Sequence, residues 1–241
     1  MRLLLPSVLA FAVACEPDPV VETEVLPYEG EPYPDQTPAI PYAGPVGVVT
    51  DSYSDTVSVV DLTTGTLLAQ RPVGRNPVDL DGPHHIVVDK AGEFAYIGLS
   101  YPLTTATGPH AEHGSALLAG YIQKLRLSDL SIVGQVRVDA SPGDLVLSDD
   151  GKRIVTSHFD LLRATKNPTD IDKARATIAV ADPSEILPTS SKPSRFIPVC
   201  VAPHGMAMTQ PTGSPLYVTC YGEDKVAIVD LDTEEVEYAD V

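Results

Sequence analysis

An all-β chain of repeated four-stranded units is the fold class that this sequence predicts, and three observations predict it. The first is composition: Val, Ile, Thr and Tyr come in short runs, tryptophan is absent, and little of the chain has the apolar spacing of an amphipathic helix. The second is an internal repeat. Leu216 to Asp232 reads LYVTCYGEDKVAIVDLD, and Gly47 to Thr63 reads GVVTDSYSDTVSVVDLT. Laid over each other without a gap, Val49-Thr50 falls on Val218-Thr219, Asp55 on Asp224, Val57 on Val226, and Val59-Val60-Asp61-Leu62 on Ile228-Val229-Asp230-Leu231. The third is punctuation. The segments Asp89-Lys90-Ala91-Gly92, Ser148-Asp149-Asp150-Gly151 and Thr209 to Gly213 put a glycine where a hairpin needs a positive φ. Short strands and polar turns in repeating units are the mark of a β-propeller or a related array.

Tyr217-Val218-Thr219, followed at fixed spacing by Asp224, Val226, Ile228, Val229 and Asp230, resembles the YVTN-type β-propeller repeat of bacterial surface and periplasmic proteins. Cys220 stands where that motif has asparagine. The resemblance covers roughly residues 45 to 241. It is specific for fold and says little of function, because propellers host many unrelated activities.

From the start of the chain, residues 1–15, MRLLLPSVLAFAVAC, carry one basic residue, Arg2, and then an apolar run. The run is too short for a permanent membrane span and reads as a secretory signal. Ala12-Val13-Ala14-Cys15 resembles a bacterial lipobox, with Ala12 in place of the usual leucine. That resemblance implies cleavage before Cys15, lipidation of its thiol, and a mature protein tethered to a membrane at the periplasm or cell surface. The alternative is an ordinary cleaved signal with an incidental cysteine. Residues 16–45 are acidic and proline-rich, with no Lys or Arg, the composition of an extended solvated spacer. Residues 46–241 suit one domain. The net charge of −17 makes nucleic acid and anionic headgroups poor partners.

The domain divides into about four blades, with strands A to D counted from the axis outward. The first lacks its A strand: B is about 46–50, C about 56–61 and D about 67–73. The second has A at 85–88, B at 94–99, C at 120–127 and D at 132–138. The third has A at 145–147, B at 153–157, C at 177–181 and D at 196–200. The fourth has A at 206–208, B at 216–219, C at 226–230 and D at about 235–240. No further A strand is left to pair with the first blade. The expectation is therefore an incomplete portion of a larger ring; an open short ring, or one completed by a second chain, is the alternative. Two B–C connections, 100–115 and 158–176, are long, and long insertions in compact repeats tend to carry function.

The histidines are the chemical signal. His84 and His85 open the second blade, in Gly82-Pro83-His84-His85. His204 opens the fourth, in Ala202-Pro203-His204-Gly205. His110 and His113 lie in the first long insertion, and His158 ends the third blade's B strand. D–A and B–C connections emerge at the same end of a propeller, so strand polarity puts all six on one face. Imidazole is a common ligand for copper, iron and zinc, and Asp81, Glu112 and Asp160 are close enough in sequence to ligate or to orient a ligand. The bland alternative is a set of structural Pro-His corners. Cys200 and Cys220 fall on the same face; in an oxidising compartment a disulfide is the simpler reading, and thiolate ligation the other. The blade pattern and histidine placement resemble the copper domain of nitrous oxide reductase and the haem domain of cytochrome nitrite reductase, but no ligand motif carries over.

Two functions follow as expectations. One is a lipid-anchored binding module that takes a protein or small-molecule ligand on the histidine face. The other is a metal-dependent redox or hydrolytic enzyme centred on His84, His85, His158 and His204, with His110 and His113 as further ligands. The sequence leaves open whether the chain is an enzyme.

Overall fold

The computed structural model describes residues 38–42, 44–75, 80–101, 114, 116, 118–188 and 195–241. They form four antiparallel sheets. The first has three strands: β1 (Val46–Asp51), β2 (Thr56–Asp61) and β3 (Leu67–Pro72). The second runs β4 (Pro83–Val88), β5 (Phe94–Leu99), β6 (Ala119–Arg126) and β7 (Ile132–Ala140). The third runs β8 (Pro142–Leu147), β9 (Ile154–His158), β10 (Arg175–Ala181) and β11 (Arg195–Val201). The fourth runs β12 (Pro203–Met208), β13 (Leu216–Cys220), β14 (Lys225–Val229) and β15 (Val236–Asp240). Within each sheet, neighbours in space are neighbours in sequence. The innermost strands lie side by side, β1 against β4, β4 against β8 and β8 against β12. This is the expected portion of a β-propeller, with no strand A in the first blade among the described residues.

Strand periodicity explains why the sheets stack. In β5, Ala95, Ile97 and Leu99 pack with Val57, Val59 and Ala69 of the first blade, while Tyr96 between them packs with Leu145, Ile154 and Ala179 of the third. A strand buried on both faces presents alternate side chains to two different seams. The third and fourth blades meet the same way, Val155, Ile178 and Ile197 against Leu216, Val218 and Val229. Each fully buried Ile or Leu contributes roughly 1.5–3 kcal/mol relative to exposure, so the seams supply most of the driving force. Cys200 on β11 and Cys220 on β13 are joined by a disulfide across the last seam.

Two boundaries differ from the sequence reading. The A strands begin at the prolines, two or three residues earlier than expected, because Pro83, Pro142 and Pro203 pair with Leu99, His158 and Cys220 across a bulge. A pattern reading stops at such an irregularity. The spacer also ends earlier than residue 45. Ile40 is 6% exposed, packs with Leu127 and Leu130, and its N–H donates to Ser128 O at 2.8 Å. Tyr42 donates its hydroxyl to Leu127 O. Residues 38–42 therefore form a strap over the β6–β7 turn, at the end of the propeller opposite the start of β4. The second long insertion holds two short helices, α1 (Leu161–Lys166) and α2 (Ile171–Ala174), capped by Asp160 and Asp170.

If the strap belongs to the fold, Ile40→Ala in the full chain lowers unfolding stability by about 2 kcal/mol, the low end for a large-to-small core change. Chemical denaturation checks this; an unchanged midpoint would show the strap to be passive.

Candidate functional site at the proline corners

Three corners carry the site, and they share one backbone plan. Gly82, Ser141 and Ala202 each adopt a positive φ, of 61°, 55° and 50°, and each precedes a proline. Their carbonyls accept the N–H of Ser100, Phe159 and Tyr221, which anchors the turn. The chain then bulges: the ladder resumes only at Ile86, Leu145 and Met206. The two residues skipped in each case are His84-His85, Gly143-Asp144 and His204-Gly205. A bulge re-aims side chains and strands backbone groups without ladder partners. Hydroxyls of the neighbouring blade satisfy the stranded carbonyls. Thr50 Oγ1 donates to His84 O, Ser52 Oγ to Pro83 O, and Ser157 Oγ to His204 O.

Because the innermost strands are adjacent, the bulged residues meet. The rings of His84 and His85 lie 4.5 Å apart between centroids, and those of His85 and His204 lie 5.7 Å apart, both edge to face. Phe159 meets His204 edge to face at 4.5 Å and Tyr221 at 5.4 Å. Asp144 sits between the two histidine corners. Its Oδ1 is 3.3 Å from His85 Nδ1 and accepts Leu145 N–H, and its Oδ2 accepts Met206 N–H at 2.7 Å. One carboxylate thus ties β4, β8 and β12 together. Burial pushes this carboxyl up, but the hydrogen bonds from His85, Met206 and Leu145 outweigh it and hold its pKa below the ordinary value. In a neutral His85 whose Nδ1–H donates to Asp144, the lone pair lies on Nε2.

The structure brings together His84, His85 and His204, and it separates His158 from them. His158 pairs in the ladder with Pro142 and is fully buried. Its Nε2 accepts Asp139 N–H at 3.1 Å, which leaves the proton on Nδ1 to donate to Thr177 O at 2.8 Å. Both nitrogens are committed, so the expectation that His158 shares a site with the other three is corrected. Asp81 and Asp160 are corrected likewise. Asp81 is buried and takes Arg75 N–H and the Tyr101 hydroxyl; Asp160 caps α1 and pairs with Arg163. The bonded Cys200 and Cys220 offer no thiolate. His110, Glu112 and His113 lie outside the described residues. Among the described residues no group of three or more His, Cys, Asp or Glu side chains is placed to hold a metal ion.

Asp144 was not among the candidates read from sequence, although a signal existed. Ser141-Pro142-Gly143-Asp144 repeats the two Pro-His corners, with glycine and aspartate in the histidine places. Phe159 and Tyr221 carried no signal; they follow B strands at aligned positions, which only the folded register reveals.

No family model matches this chain, and no curated protein matches it. Solved structures do. A functionally unknown protein from Desulfotomaculum acetoxidans DSM 771 aligns at TM-score 0.51 and 12% identity, covering 80% of this chain and 51% of that one. A chain of Kuenenia stuttgartiensis hydrazine synthase aligns at 0.44 and 18%, covering 78% and 62%. A chain of a nidogen/laminin complex aligns at 0.49 and 15%, covering 80% and 59%. This chain thus spans between 51% and 62% of these neighbours' lengths. At such identities the likeness concerns fold alone.

The buried His158 makes a pH prediction. Desolvation, assisted by Arg163 and opposed by Asp139 and the Thr177 hydrogen bond, lowers its pKa to about 4. The unfolded chain binds this proton near pH 6.5 and the folded chain does not. The stabilisation is therefore complete above pH 6.5 and is lost as pH falls toward 4, by an amount on the order of 3 kcal/mol. Denaturation between pH 4 and 7 should show this slope in the native chain and a flatter one in His158→Gln.

Proposed function

We propose that this chain is a lipid-anchored envelope β-propeller that acts as a binding module through the end bearing His84, His85, Asp144 and His204. The observation that carries the reading is the triple bulge. Three consecutive blades spend their ladder continuity at the same level, and the result is a set of polar side chains gathered around the axis. Concave ends of propellers with convergent polar groups are the default place for a ligand. The exposed Tyr221 beside the buried Phe159 adds the rigid amphipathic surface that binding sites favour. Anchoring rests on the sequence of residues 1–45, with Cys15 as the lipidated residue, and on the resemblance to YVTN-repeat proteins of the bacterial envelope. None of the described helices is long and apolar enough to cross a membrane. Propeller architecture supports interaction rather than one chemistry. The described donor set gives the metal-enzyme alternative no separate support.

Two outcomes test this. Cys15→Ser should abolish incorporation of labelled fatty acid and move the protein from the membrane fraction to the soluble one. A photoreactive residue in place of Tyr221 should give a discrete adduct in intact envelopes, while the same residue in place of Thr63, exposed in the β2–β3 turn at the opposite end, should not. Equal adducts from both ends would remove the assignment of the face.

A further inference from the structure

The same group of side chains has a definite chemical preference. Asp144 is held ionised and remains 22% exposed, beside His85 at 28%. His85 belongs to a run of edge-to-face rings that passes from His84 through His85, His204 and Phe159 to Tyr221. A part-exposed carboxylate attracts cations through its charge, and the exposed Tyr221 face attracts them through its ring quadrupole. No Lys or Arg occurs in the three corners, 82–85, 141–144 and 202–205. The nearby guanidinium groups are engaged elsewhere, Arg163 with Asp139 and Asp160 and Arg75 over the Tyr121 ring at 3.9 Å. An anionic ligand would meet Asp144 with no basic side chain from the corners to offset it. A cationic one also gains from the net charge of −17, which concentrates positive ligands at the surface. The Nε2 lone pair of His85 is an acceptor for an N–H.

We infer that the corner site holds a cationic nitrogen, an ammonium or guanidinium group, supplied by a Lys or Arg side chain of a protein partner or by a free polyamine. This rests on the binding-module reading of the same face and names its ligand class. Asp144 provides the charge, His85 accepts a hydrogen bond, and Tyr221 closes the outer side. Tyr221 is 65% exposed, so its ring is placed for an incoming group and not for the core.

The test is a titration of the full chain, at 150 mM salt and neutral pH, followed by the ring proton signals of the histidines in NMR spectra. The probes are spermidine, a pentalysine peptide, uncharged 1-pentanol and glutarate dianion. The expected result is a saturable shift of the His84, His85 and His204 signals with a cationic probe, and none with 1-pentanol or glutarate. The buried His158 signal stays still and reports that the fold is intact. Asp144→Asn should weaken binding at least about tenfold, the loss expected for a charge-assisted contact, and Tyr221→Ala about three- to tenfold. If Asp144→Asn fails to fold, as loss of its His158 signal would show, Tyr221→Ala decides. Saturation by the peptide alone points to a partner's side chain, and by spermidine alone to a free polyamine. The inference is overturned if neither cation shifts the corner histidines, if glutarate or 1-pentanol shifts them equally, or if a folded Asp144→Asn binds as the native chain does. If crosslinking at position 221 still gives its adduct while the cations fail, the binding-module reading stands and only the ligand class falls.

Discussion

Everything at the functional end depends on a backbone constraint: each innermost strand must leave its ladder for two residues just after a proline. A regular strand would direct alternate side chains into the two seams, as β5 does with Tyr96 on one side and Ala95 and Ile97 on the other. The bulges at His84-His85, Gly143-Asp144 and His204-Gly205 break that alternation where the strands crowd together. The cost is a pair of unladdered carbonyls, and the neighbouring blade offsets it with hydroxyls from Thr50 and Ser157. Site and blade packing are therefore one structure. At the middle seam Gly98 and Gly143 stand at the corresponding places, and a Cβ at Gly143 would come within 2.9 Å of Ser157 Oγ. The absence of a side chain there leaves that hydroxyl free to reach His204 O.

Asp144 and His158, on adjacent strands of the third blade, show how two titratable groups removed from water diverge in chemistry. Asp144 receives three hydrogen bonds and a partial view of solvent, so its charge is retained. His158 receives two hydrogen bonds and no solvent, so its neutral form is retained. Burial opposes charge in both; the difference lies in how many donors face the ionised form. His158 accordingly serves the seam beneath, while Asp144 keeps its charge at the surface above.

Much of the fold was legible in the sequence because it rests on repetition. The match of Gly47–Thr63 to Leu216–Asp232 marks β1–β2 and β13–β14, and the A–B turns fall at Gly92, Gly151 and Gly213, all with positive φ. The site was legible in part. The Pro-His corners identified His84, His85 and His204, since strand polarity alone puts them at one end. His158 was grouped with them because polarity gives the end of a strand and not the direction of its side chain. One residue of register decides between rim and core. Asp144 gave no reason to be singled out in the sequence, because an isolated aspartate is common and only the shared Pro corner relates it to the histidines. Ile40 and Tyr42 were read as spacer because a proline-rich, acidic stretch conceals two anchoring residues at its end.

The strap formed by those two residues sets how the domain bears load. It lies at the end away from the histidines and leads straight into β1, whose six residues pair in register with β2. A pull on residue 38 meets the Ile40 and Tyr42 contacts with the β6–β7 turn before it loads the cross-strand bonds of β1. A load that enters there is therefore shared with the second blade, at the end opposite the histidine corners.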